Sequence, residues 1–287
     1  VLLEDLANRW FGEGYFVEAA DLYRQLVRLE PESLRNPLRQ GRVVDIADRR
    51  GNKPKTIEEA EALVEVFLAT RARFEALPEG SEARKNAAGD IQEAEIVAEN
   101  TFRRLAQEWN REGRKTHQDG TLERAERMYG FYLRLFPEAK PAYDMRFQYA
   151  DLLYELERFD EAAKLYRAVV EARPEDGEHL VEAAHDNILA VEEHLRDLEE
   201  VELPTDLEAR AELHPQHQRL VDATERYLTL VPEEASREKR PAVELKAARI
   251  FYAYNHYPEA LRRFEAIVKA HPRSEQAVVA ANLVVDI

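Results

Sequence analysis

The chain has 287 residues, of which 45% are hydrophobic and 34% charged, with no Cys and a formal charge of −16. The missing cysteine excludes a disulfide scaffold, a Cys-zinc site and a thiol nucleophile, and no run reaches the about 18 apolar residues that a membrane span needs. The excess of carboxylates argues against a nucleic-acid binder, because phosphate contacts need clustered Lys and Arg, while low Gly with abundant Ala, Glu, Leu and Arg points to helix throughout.

In chain order, residues 1–31 read as two helices, with Leu3, Leu6, Ala7 and Trp10 on the first and Ala19 and Tyr23 on the second, parted by a turn at Gly14. Residues 34–108 are irregular: 37–50 and 57–77 form a helix pair, and 81–115 reads as an unusually long first helix. Residues 109–137 carry Trp109, Gly113, Ala125, Tyr129 and Pro137, and 143–174 carry Tyr149, Ala150, Leu153, Ala162, Tyr166 and Pro174. A second irregular stretch, 175–232, holds helices over 179–198 and 217–231, closed by Pro232. Residues 241–272 return to the pattern with Ala247, Ala248, Phe251, Ala260, Phe264 and Pro272, and Ser274 starts another helix. The expectation is one domain, 1–287, of about six helix pairs, and both ends read as cut from a longer protein.

An acidic insertion occupies 197–214, where Asp197, Glu199, Glu200, Glu202, Asp206, Glu208 and Glu212 face only Arg210. Pro204-Thr205-Asp206 reads as a break followed by a helix start capped by Thr205 or Asp206. The insertion is either a solvated loop or an arm that closes over a groove or meets a basic partner.

Four segments share one spelling. An Ala is followed four residues later by an aromatic and twelve later by Pro: Ala19, Tyr23, Pro31; Ala125, Tyr129, Pro137; Ala162, Tyr166, Pro174; Ala260, Phe264, Pro272. The small side chain lets two helices approach, and the aromatic one turn on fills the space beside the crossing. Proline lacks an N–H and disfavours helix in the residue before it, so it stops the second helix. These copies resemble the tetratricopeptide repeat, a helix-turn-helix unit of about 34 residues. The step of 162 − 125 = 37 departs from that length.

The resemblance implies an all-α fold, a right-handed superhelix of helical hairpins (an α-solenoid) with irregular long repeats. It also implies a concave face lined by first helices that holds an extended peptide or a partner helix. Placing the family's groove positions on this chain gives Asn110, Arg114, Phe147, Asp151, Tyr154, His185, Arg249 and Tyr252 as candidate partner-binding residues. Chaperone-binding members clamp a C-terminal carboxylate with Lys and Asn. Here Asn8 has Glu4 beside it, which would repel that carboxylate, so this ligand is excluded.

Catalytic signatures are missing. Glu182-x-x-His185 supplies one arm of a di-metal site where two are needed, His214 and His217 read as surface histidines, and no metalloprotease helix, phosphate loop or nucleophile elbow occurs. No cofactor, metal or catalytic residue is expected. The function expected is a non-enzymatic scaffold for a protein or peptide partner, not for nucleic acid. The alternative is an assembly subunit of a bacterial envelope complex. Composition and repeat layout resemble tetratricopeptide lipoproteins of envelope machines such as those of gliding motility, which favours the periplasm or cell envelope over the cytoplasm.

Overall fold

The computed structural model describes residues 2–174, 177–198, 203–206 and 209–287. Secondary structure among them is helical, and the chain divides into two compact units, Val1–Met145 and Arg146–Ile287.

The first unit contains α1 (Leu2–Glu13), α2 (Phe16–Leu29), α3 (Asn36–Arg49), α4 (Lys53–Ala76), α5 (Glu82–Thr116) and α6 (Asp119–Leu135). Each helix packs on the next, and α3 also packs on α5. Packing on both the neighbour and the next but one is how stacked helical hairpins bury a face that none buries alone. The second unit begins within α7 (Ala142–Glu155) and continues through α8 (Phe159–Ala172), α9 (Leu180–Asp197), α10 (Pro215–Leu230), the single turn α11 (Glu233–Ser236), α12 (Arg240–Ala253), α13 (Tyr257–Ala270) and α14 (Glu275–Asp286). Here α10 packs on α12 and α12 on α14, again besides the sequential contacts.

The repeated residues take the places their chemistry demands. Ala19, Ala125, Ala162 and Ala260 are fully buried, and so, nearly, are Tyr23, Tyr129, Tyr166 and Phe264. Twelve residues before each Ala stands a second small buried residue: Ala7, Gly113, Ala150 and Ala248. A Cβ on Gly113 would come within 2.5 Å of Leu122 Cδ2 and 3.1 Å of the Leu122 backbone nitrogen, so only glycine permits that approach of α5 to α6. The second helices end at Leu29, Leu135, Ala172 and Ala270, each two residues short of its proline. Five residues before three of these alanines the chain turns through positive φ: Gly14 at 85°, Glu157 at 59° and Asn255 at 60°.

The irregular helices stand close to their expected bounds. The long helix over 81–115 is α5, 35 residues or about 52 Å of helix. Ser81 caps it by accepting from the Arg84 N–H at 3.2 Å, and Ser274 caps α14 through the Ala277 N–H at 3.0 Å.

The insertion requires a correction. Asp206 Oδ1 does accept from the Ala209 N–H at 3.3 Å, but it caps no helix: residues 209–214 are not helical, and among the described residues the next helix is α10. Glu199, Glu200, Glu202 and Glu208 lie outside the described residues. The remaining backbone is strapped to the turn between α12 and α13. Asn255 Nδ2 donates to the carbonyls of Asp206 at 2.7 Å and Ala209 at 2.9 Å, the Ala211 N–H donates to the Tyr254 carbonyl at 3.1 Å, and His256 Nε2 donates to the Ala211 carbonyl at 2.7 Å. Neighbouring-repeat partners thus satisfy backbone groups that a free loop would leave to water.

Candidate binding groove

The first helices α1, α3 and α5 wall a groove of about 690 Å³ in the first unit. Helices α3 and α5 run parallel at a fixed offset. Arg104 Nη1 meets Asp48 at 2.7 Å, and Gly41 faces Val97, so that 104 − 48 and 97 − 41 both equal 56. Gly41 permits this approach, because a Cβ there would stand 2.6 Å from Val97 Cγ1.

Charge in the groove is organised around carboxylates. Glu4 takes Arg35 at 3.0 Å and Arg39 at 2.9 Å, and Arg39 also holds Glu30 at 2.7 Å. Burial opposes the charged form of Glu4, yet the hydrogen bonds from Arg39 and Arg35 outweigh it and keep its carboxyl below the ordinary value. Arg104 is gripped by Asp48 at 2.7 Å and Glu108 at 2.9 Å as well as by Asp45. Asn8 is committed too, accepting from the Tyr23 hydroxyl at 2.7 Å. Arg42 lies 4.9 Å over the Phe11 ring, with Arg49 at 5.2 Å from the same ring.

Of the sequence-selected residues, two belong to this unit. Asn110 is 9% exposed and donates to the Tyr129 hydroxyl at 3.1 Å, while Arg114, on the surface, donates to Asn110 at 3.0 Å. Asn110 therefore ties α5 to α6 rather than presenting its amide to a ligand.

The other six lie in the second unit. Phe147 is 6% exposed, stacked on His179 at 4.2 Å and edge-on to Tyr166, so it packs the repeat interior. Asp151 accepts from the Tyr166 hydroxyl at 2.7 Å. Tyr154 is half-buried, its ring edge-on to Phe159 at 5.1 Å. Burial raises its phenol, and the carboxylates of Glu193 and Asp186 add to that rise. His185 pairs with Asp186 at 3.0 Å and meets the Tyr227 ring edge. Arg249 is exposed on α12, and Tyr252 packs against Tyr257 and Phe264. Asp151, Tyr154 and Asp186 all bear on the Tyr166 phenol, so α7 and α9 bring these three together. Among the described residues no group of three His, Asp or Glu side chains could hold a metal, and no helix is long and apolar enough to cross a membrane.

No family model matches the chain, and no curated protein matches it in sequence. Among solved structures, it is similar to the C-terminal part of a TPR repeat-containing protein from Cytophaga hutchinsonii, at 12% identity over 96% of this chain and 98% of that one, with a TM-score of 0.39. It is similar to PilW, a widely conserved type IV pilus biogenesis factor, at 12% identity over 98% and 97% of the two chains, with a TM-score of 0.34. A third is the TPR2AB domain of yeast Sti1 in complex with pHSP90, at 14% identity over 86% and 84%, with a TM-score of 0.33. The repeat type rests on this chain's own geometry: paired small residues at the crossing, a buried aromatic one turn on, and a proline two residues past the helix end. The hairpins are of the tetratricopeptide type.

Within these hairpins, the arginines of α3 and the C-terminal half of α5 escaped the sequence reading. Residues 34–108 hold no well-spelled repeat, so no groove position could be assigned there. A signal was present all the same. Arg35, Arg39, Arg42 and Arg49 follow steps of four, three and seven, which places all four on one helical face.

Proposed function

We propose that the chain is a non-enzymatic interaction scaffold that binds a peptide or protein segment along its first helices, with the α1–α3–α5 groove as the principal seat. The observation that supports this reading is the groove itself. It is open, walled by three first helices, and lined by long polar side chains around Ile96, which is 50% exposed. A polar rim about an accessible apolar residue suits protein recognition. The test places a photo-crosslinking amino acid at Asn100 in the groove and, as a control, at Glu123 on the outer surface of α6. Partners captured from native lysate at Asn100 and absent at Glu123 carry the reading. Identical sets at both positions sink it.

The α14 surface favours a second reading, an assembly subunit of a larger envelope complex. Val278 and Val285 project from it at 63% and 84% exposure. Under this reading, Val278→Asp/Val285→Asp abolishes co-purification of the assembly and leaves crosslinking at Asn100 unchanged.

A further inference from the structure

The geometry points to an acidic peptide as the occupant of the α1–α3–α5 groove, held through side-chain carboxylates by Arg42 and Arg111, with Arg103 between them. This inference rests on the reading of the groove as a peptide seat and names the chemistry of the ligand.

The first support is charge. The chain carries −16, divided as 23 − 27 = −4 over residues 1–145 and 18 − 30 = −12 over residues 146–287. The groove runs against that background, since its walls hold six arginines and four carboxylates, 6 − 4 = +2. A positive trough in an acidic protein concentrates anionic ligands and excludes cationic ones.

The second support is the distribution of partners. Three of the four carboxylates are already engaged by groove arginines: Glu4 by Arg35 and Arg39, Asp45 and Glu108 by Arg104. Among the described residues Arg42 and Arg111 have no carboxylate within ion-pair distance, and Arg103 has Asn100 at 2.7 Å and Glu99 only at 4.0 Å. Arg42 is also pre-positioned. Its guanidinium lies over the Phe11 ring, which restrains the plane and leaves the N–H edges free for a bidentate carboxylate.

The third support is spacing. By the offset of 56, Arg42 stands level with residue 42 + 56 = 98 of α5, thirteen residues below Arg111. That is about 20 Å along the groove, or about 22 Å after crossing from one helix to the next. An extended peptide covers this in about six residues. The ligand expected is therefore a segment with acidic side chains about six residues apart. A nucleic-acid strand carries charge at every nucleotide, more than Arg42 and Arg111 about 22 Å apart can match, which disfavours it.

The test pans the full chain against a library of twelve-residue peptides displayed through their C-termini, so that no free terminal carboxylate is present. The expected outcome is enrichment of net-acidic sequences with two Asp or Glu about six positions apart. Their affinity should fall as salt rises and drop at least about tenfold on Arg42→Gln/Arg111→Gln. Circular dichroism and the thermal melt of that variant must match the parent, and Arg28→Gln/Arg134→Gln outside the groove serves as the control for lost charge alone. Enriched peptides that are neutral or basic and still crosslink at Asn100 overturn the acidic chemistry and leave the groove as a seat. Enriched peptides that crosslink nowhere in the groove overturn both. An oligothymidylate of twelve nucleotides that binds more tightly than every enriched peptide overturns the choice of a peptide.

Discussion

The phenol of Tyr166 donates to the carboxylate of Asp151 at 2.7 Å, joining α8, the second helix of a hairpin, to α7, the first. Tyr23 repeats the relation to Asn8 at 2.7 Å, and both pairs are fifteen residues apart. Where the aromatic is Phe264, the residue fifteen before it is the exposed Arg249, which receives no such bond. Tyr129 departs from this register and meets Asn110, nineteen residues back. Where the repeat aromatic carries a hydroxyl, as in Tyr23 and Tyr166, it ties down a first-helix polar residue that stays exposed where the aromatic is Phe264.

Tyr166→Phe tests that relation with little change of shape, since Phe264 fills the equivalent space in another repeat. Losing one partly buried hydrogen bond is expected to cost about 1 kcal/mol in urea unfolding. Burial, reinforced by Asp151, pushes the Tyr166 phenol far above its ordinary 10. In the parent, alkaline titration followed near the phenolate absorbance should therefore leave this tyrosine un-ionised until the protein unfolds.

Glu157 takes φ 59° at the turn where another repeat has Gly14. A left-handed conformation costs a side-chain-bearing residue about 1–2 kcal/mol, and glycine is free of most of that penalty. Glu157→Gly is expected to raise stability by about 1 kcal/mol. A lower thermal midpoint would show that the glutamate side chain holds the turn in some other way.

Asn255 has two separable duties, the positive φ of its turn and its side-chain hydrogen bonds, donated to the Asp206 and Ala209 carbonyls of the strap and accepted from the Tyr257 hydroxyl at 3.0 Å. Asn255→Gly keeps the first and deletes the second. The expected result is faster tryptic cleavage after Arg210 with the thermal midpoint nearly unchanged. Equal cleavage rates would mean that Ala211, through Tyr254 and His256, holds the strap unaided.

The pH dependence centres on Glu259. Hydrogen bonds from Arg262 and Arg263 pull its carboxyl from the ordinary 4.5 to about 2, against the effect of burial. A carboxyl depressed on folding adds stability above its unfolded value and loses it as pH falls towards the folded one. The contribution is therefore whole above about pH 4.5 and gone near pH 2. Glu259→Gln should flatten the stability profile across that interval, measured by urea melts at stepped pH. A parent-like slope would place the acid sensitivity elsewhere.

The hairpins were legible because their signals are local. Small residue, aromatic and proline stand at fixed steps, and each acts within one hairpin, so a single sequence displays them. The long helix α5 was legible for the same reason, with Ser81 at its start and no break before Thr116. The groove was legible only in part. Phe147 and Asn110 sit at first-helix positions whose burial depends on His179 and Tyr129, partners that no spacing announces. The insertion was legible in its acids, since Asp206 and Glu212 are exposed, but not in its backbone, whose carbonyls at Ala209 and Asp206 meet Asn255 from 46 and 49 residues away.

That strap changes how the second unit comes apart. Stacked hairpins ordinarily unravel from an end one at a time, each loosening only its neighbour's face. Here the turn of the α12–α13 hairpin is tied to the segment that precedes α10, so this hairpin cannot fray alone. Pulled from the C-terminus, α14 would release by itself, and the next event would be a single larger step in which α12 and α13 let go together with Asp206, Ala209 and Ala211.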